Sequence, residues 1–107
     1  MTRITFQSED ERIAGFVSEG HSGWAESGAD IVCAAVTAAV RMTECTLNDV
    51  LGAQAAVSID EKAARIALKL PAFCEEEAAV QAVLTGLMLT LCELRDEYPD
   101  FIEVMEV

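Results

Sequence analysis

Apolar and polar residues alternate at the start of the chain, where Ile4 and Phe6 sit among Arg3, Thr5 and Gln7 in the period-two pattern of a strand with one buried face. Ser8-Glu9-Asp10-Glu11 reads as a polar turn. A second strand, from Arg12 to about Glu19, carries Ile13, Phe16 and Val17 and ends at Gly20-His21, so the pair forms a hairpin that delivers His21 to an edge or end of the sheet. From about Asp30 to Asn48 the period changes. Ile31, Val32, Ala35, Val36, Ala39, Val40 and Met42 leave almost no polar face until Arg41, Thr43 and Glu44, which predicts a helix buried along much of its circumference and lying across the sheet. Ala53, Ala55, Val57 and Ile59 alternate as a third strand, and Asp60-Glu61-Lys62 turns the chain. Ala64, Ile66, Leu68 and Leu70 then alternate with Arg65, Ala67 and Lys69 as a fourth strand, which Pro71 stops. Glu75-Glu76-Glu77 place negative charge where the start of a helix favours it, and Val80, Val83, Leu84, Leu87, Met88, Leu91 and Leu94 recur at helical spacing as far as Tyr98-Pro99. Phe101 to Val107 closes as a short strand with Ile102 and Val104 inward.

The element order is therefore ββαββαβ. It predicts an α+β two-layer sandwich, two helices packed on one mainly antiparallel sheet, as a single domain over residues 1–107. A single-layer sheet of this kind leaves apolar surface to cover, which favours a homodimer. Hydrophobic residues make up 52% of the chain, too many for disorder. A formal charge of -12, from 19 acidic and 7 basic residues, argues against direct binding of nucleic acid, whose phosphates need a positive surface, and favours a basic partner. Cys33, Cys45, Cys74 and Cys92 lie far apart with no C-x-x-C pair and only one histidine, so neither a metal site, a cofactor nor a disulfide framework is expected. No basic segment with an apolar run behind it opens the chain. The longest nearly apolar stretch, Ile31 to Val40, is shorter than the roughly 18 residues needed to span a bilayer, so the expected setting is a reducing cytoplasm without membrane contact.

Candidate chemistry concentrates between the two halves of the chain. His21 stands twelve residues before Cys33, across a segment that is small and polar apart from Trp24. Thiolate is the nucleophilic form of cysteine, the first turn of a helix lowers a thiol's pKa, and a nearby imidazole stabilises the thiolate and later returns a proton to a leaving amine. Where the helix starts decides how strongly its dipole acts. Ser27 with Asp30 has the S-x-x-D spacing of a capping box, whereas Asp30 as the cap itself puts Cys33 in the first turn. Gly23 and Gly28 would let the segment from Ser22 to Ala29 close over a substrate. The competing readings are an ordinary connection whose Trp24 plugs a gap in the core, a Cys33 that is merely a small buried hydrophobe, and a His21 at the surface. Cys45, Cys74 and Cys92 fall in or near apolar helical patterns and read as inert core residues.

The string Gly20-His21, a short loop, then Gly28-Ala29-Asp30-Ile31-Val32-Cys33-Ala34-Ala35-Val36, on a chain of this length and element order, resembles the ribosomal-processing cysteine protease family (Prp). The likeness covers essentially the whole chain, with its specificity in the Gly-His and Asp-Ile-Val-Cys-Ala-Ala segments. It implies a dimeric cysteine endopeptidase that removes the N-terminal extension of a bacterial large-subunit ribosomal protein, cutting beside aromatic residues. On that resemblance Cys33 is the nucleophile and His21 the general base and acid. Asp30 matches the acidic position of the motif and either orients the dyad, contacts substrate, or is only the helix cap. Thr37 stands where the family often has serine. Its hydroxyl keeps a polar role open, the simpler account being a mid-helix threonine that bonds its own backbone. Ser22 replaces the alanine that commonly follows the histidine, a small change that leaves a substrate-loop role for Ser22, Gly23, Trp24 and Gly28 intact.

An acidic enzyme would attract the lysine- and arginine-rich tail of a ribosomal protein. In this reading Cys33 attacks the scissile carbonyl, backbone N–H groups at the helix start steady the oxyanion, and His21 carries the proton. The alternative is a non-catalytic dimeric module that binds a basic ribosomal partner, with Cys33 structural. A thiol redox sensor is a third option, weakened because no resolving cysteine is close in sequence.

Overall fold

The computed structural model describes residues 1–20 and 27–107, with side chains for residues 1–20 and 31–107. β1 (Thr2–Glu9) and β2 (Arg12–Glu19) form the hairpin that the alternation predicts, joined through Asp10 and Glu11, both at positive φ (52° and 62°). Two such residues give the type I′ turn, whose twist matches that of the strands it connects. Phe6 stands opposite Phe16, and their rings meet 5.8 Å apart at a 47° tilt. Between Gln7 and Ser8 the register slips, so that Ala14 becomes the extra residue of a β-bulge. The bulge is held from outside the sheet: the Gln81 side-chain amide accepts from the Ile13 N–H at 2.8 Å and donates to the Ile13 carbonyl at 2.9 Å.

β3 (Ala56–Asp60), β4 (Arg65–Lys69) and β5 (Ile102–Glu106) complete a five-stranded sheet in the order β3-β4-β2-β1-β5. Every neighbour pairs antiparallel except β5, which lies parallel to β1. The two-layer α+β sandwich with the predicted ββαββαβ order is what the chain forms. α1 (Ser27–Cys45), a π-helical segment (Thr46–Val50) and α2 (Glu77–Glu97) supply the second layer. α2 buries Val80, Leu84, Leu87 and Leu91, spaced four, three and four residues apart, against the sheet. By length and composition alone it would also suffice to cross a membrane. Here its apolar stripe faces Ile4, Phe6, Phe16, Leu68 and Ile102 in one core, each fully buried side chain being worth roughly 1.5–3 kcal/mol.

Several expectations change. α1 begins at Ser27, three residues before Asp30, so Asp30 lies inside the helix and is not its cap. Nor is α1 buried around most of its circumference: Val32, Val36, Val40 and Thr43 form a single buried stripe, while Ile31, Ala34, Ala35, Thr37, Ala38 and Met42 face outward. A small sheet can cover only one side of a helix, and alanines tolerate water on the other. The third strand starts at Ala56 instead of Ala53, because Ala53 and Ala55 are buried in the connection before it, where the Asn48 side chain bonds both the N–H (2.8 Å) and the carbonyl (3.1 Å) of Ala55. Cys45 is exposed, not a core residue, whereas Cys74 is buried and Cys92 half-buried. The outer face of the sheet carries ion pairs, Arg3–Glu103 at 3.2 Å and Arg65–Glu19 at 3.8 Å, and exposed apolar side chains occur on the helices at Ile31, Met42 and Leu89 as well as at Ile59 and Phe73.

Candidate active site

α1 crosses the sheet near the end where β2 finishes and β4 begins, leaving a cleft of about 310 Å3 between helix and sheet. Cys33, half-buried in the second turn of α1, lines it together with Thr37, Gly20 and the inner-face residues Ser18, Ile59 and Ile66. Ile59 is paired with Ile66 across β3 and β4, yet is 61% exposed, because neither helix reaches far enough to cover it. The floor of the cleft thus combines Ile59 and Ile66 with the hydroxyls of Thr2 and Ser18, and its helical wall carries Cys33, Val36, Thr37 and Arg41, a mixed lining that suits an extended peptide.

Gly20 turns the chain out of β2 at φ +80°, and a Cβ there would lie 2.5 Å from the Met1 carbonyl oxygen, so both the backbone conformation and the space call for glycine. Gly20 and Cys33 share one cleft. His21, Ser22, Gly23 and Trp24, which the sequence reading placed beside Cys33, lie outside the described residues. Gly28 and Asp30 stand on the first turn of α1. Thr37 is exposed one turn beyond Cys33 and shows no hydrogen bond back to the helix. That bond is made instead by Thr43, which donates to the Ala39 carbonyl at 2.8 Å, and by Thr46, which donates to the Met42 carbonyl at 2.7 Å.

With α1 starting at Ser27, Cys33 stands past the four free N–H groups of the helix start, and the dipole is felt mainly within the first turn. Asp30 is therefore not the cap that would have put Cys33 in the first turn, and the N–H groups at the helix start lie about a turn before Cys33. Two other thiols are held protonated. Hydrogen bonding to Asp49, with burial and the neighbouring carboxylates, raises the pKa of Cys45, and burial first, then Glu77, raises that of Cys74. Among the described residues no group of three or more histidine, cysteine or carboxylate side chains is placed to hold a metal ion. The sequence did not reveal that Ile59, Ile66 and Arg41 line the cleft, since they come together only where the end of the β3–β4 hairpin faces α1 across it. The alternation that places Ile59 on the inner face was the only available signal.

A half-buried thiol on a helix laid over a small sheet, at an open cleft with a partly apolar floor, defines a compact α+β protein equipped for thiol chemistry on an extended substrate. The model of the family "Cysteine protease Prp" matches residues 1–103. The ribosomal processing cysteine protease Prp of Bacillus subtilis (strain 168) is 29% identical over 100 residues, covering 92% of this chain and 89% of its own. The fold is shared with the essential ribosomal processing protease Prp of Staphylococcus aureus in complex with a substrate peptide (TM-score 0.89, 18% identity, all of both chains). A Streptococcus mutans protein shares it as well (TM-score 0.88, 23% identity, 100% of this chain and 96% of that one). The chain belongs to the cysteine protease Prp family.

Proposed function

We propose that this protein is a cytoplasmic cysteine endopeptidase, acting as one domain over residues 1–107, that removes the N-terminal extension of a bacterial large-subunit ribosomal protein through a Cys33–His21 dyad. The observation that carries this reading is the shared cleft: Gly20, the residue bonded to His21, and Cys33 line the same peptide-sized groove. Family membership and the substrate-bound fold of the Staphylococcus aureus relative support it. In the first half-reaction the Cys33 thiolate attacks the scissile carbonyl, a C–S bond forms, the C–N bond breaks, and the leaving amine takes its proton from the His21 imidazolium. Water, deprotonated by His21, then cleaves the thioester and restores the thiol. Asp30 orients the dyad or contacts substrate, Thr37 supplies a hydroxyl on the cleft wall, and the segment carrying Ser22, Gly23 and Trp24 covers the bound peptide, while Gly28, expected in that loop, belongs to the first turn of α1. With a net charge of -12, the enzyme draws in a basic ribosomal tail.

The protein acts as a homodimer joined through the outward faces of α1 and α2. Ile31 (58% exposed), Met42 (70%) and Leu89 (58%) lie there among Ala34, Ala35, Ala38 and Ala82, an apolar stretch bordered by Glu93 and Glu97 of α2.

Per-cysteine alkylation by iodoacetamide near neutral pH tests the dyad and separates it from the alternative, a non-catalytic module binding a basic partner. Cys33 is expected to react well ahead of the exposed but protonated Cys45, and His21→Ala to abolish that lead. Equal reactivity of the two thiols, or no effect of His21→Ala, favours the module.

A further inference from the structure

We propose that Arg41 grips the main chain of the bound substrate, three to four residues from the scissile bond. The inference rests on Cys33 being the nucleophile. Cys33, Thr37 and Arg41 follow one another at four-residue intervals along α1, and all three line the cleft. At 3.6 residues per turn they stay within a sector of roughly 80°, and at about 1.5 Å per residue Arg41 stands about 12 Å along the helix from Cys33. An extended peptide advances about 3.3 Å per residue, so a chain whose reacting carbonyl sits at Cys33 passes Arg41 three to four residues away. Below that path Ile59 and Ile66 supply the apolar part of the floor.

The charge pattern sets Arg41 apart. Of the five arginines in the sequence, Arg3, Arg12, Arg65 and Arg95 each hold a carboxylate, at 3.2, 2.6, 3.8 and 3.1 Å. Arg41, exposed, holds none among the described residues, in a chain with 19 acidic side chains. Its forked donors therefore remain available for a ligand. Glu44, Asp60 and Glu61 line the same cleft, so an acidic substrate side chain would meet three carboxylates. A neutral carbonyl oxygen satisfies the guanidinium without adding negative charge. Recognition by Arg41 is thus of the peptide's length and extension, not of its sequence.

The test compares Arg41→Met and Arg41→Lys with the unaltered enzyme on synthetic peptides spanning the cleavage site of the ribosomal precursor. One peptide carries at least five residues on each side, and two others are shortened to two residues on one side or the other. On the long peptide Arg41→Met is expected to lower kcat/KM about 10- to 100-fold, chiefly through KM, with Arg41→Lys recovering part of the loss. On the peptide shortened along the arm that Arg41 holds, the unaltered enzyme should fall to the variant's level, with the substitution costing nothing further. Exchanging the third and fourth side chains for alanine should leave this dependence intact. Equal losses on all three peptides, no loss on any, or a loss confined to peptides with aspartate or glutamate at those positions overturns the inference while leaving the protease reading in place. Failure of the unaltered enzyme to cut any peptide overturns both.

Discussion

Replacing Gly15 by alanine sets two physical effects of opposite sign against each other. In a strand interior the change ordinarily gains about 0.5–1 kcal/mol, because glycine loses more backbone freedom on folding. Gly15, however, sits in the central strand β2 opposite Lys69 of β4, and a Cβ placed there would lie 2.3 Å from the Leu68 carbonyl oxygen and 3.1 Å from the Lys69 Cα. A relaxed carbon–oxygen contact is about 3.3 Å, so the two strands must part by about 1 Å. Both atoms are backbone, and neither can swing aside. Ladder bonds near 2.9 Å would stretch beyond hydrogen-bonding range, and losing the two nearest costs about 1–3 kcal/mol. The steric effect wins, leaving a net loss of about 1–2 kcal/mol, or a fall in Tm of about 5–15 °C for a domain of this size. Because β4 carries Ile66 into the cleft and holds Ile59 through β3, kcat/KM should fall as well. Thermal unfolding followed by circular dichroism reads the first effect. A Gly15→Ala protein as stable as the parent, or more so, would refute the packing argument.

The remaining predictions concern how the sheet is tied to the helices. Arg12 donates to both Glu77 oxygens, at 2.6 and 3.1 Å, and this pairing lowers the Glu77 pKa below its usual 4.5. A depressed carboxylate stabilises the fold above its unfolded pKa and loses that contribution as the pH falls through the folded value. Glu77→Gln should therefore cost about 1 kcal/mol at pH 7, allowing for the partial exposure of Glu77, and the gap to the parent should narrow as the pH falls below 4.5 and close once it passes the lowered folded-state pKa, read in denaturant titrations. A gap that stays constant with pH would show that the charge is not what matters. In the β1–β2 turn Glu11 adopts φ 62° without being glycine. Glu11→Gly should raise stability by about 1 kcal/mol in the same titrations, and a loss would mean that the side chain has a role the backbone does not show.

Much of the fold was legible in the chain. Alternation at Ile4 and Phe6, and again from Ala64 to Leu70, marked strands because one face of each is buried, and the spacing from Val80 to Leu91 marked α2. What failed was non-local. The run from Ile31 to Met42 looked buried all round, since composition cannot tell an alanine against the sheet from one facing out. The start of α1 was left between two caps that share local signals, and Cys45 read as core although it points to solvent. Cys33 was found from its neighbours in sequence. The opposite wall of its cleft, Ile59 and Ile66, was not, because residues more than twenty positions away carry no local mark of facing it.

The central claim is that Cys33 breaks a peptide bond, and intact-mass spectrometry of a ribosomal precursor incubated with the enzyme tests it most directly. The account predicts that the parent enzyme shortens the precursor by its N-terminal extension while Cys33→Ala, folded with an unchanged Tm, leaves it at full mass. Trimming by the Cys33→Ala protein at the parent's rate, or a precursor untouched by the parent itself, would contradict it.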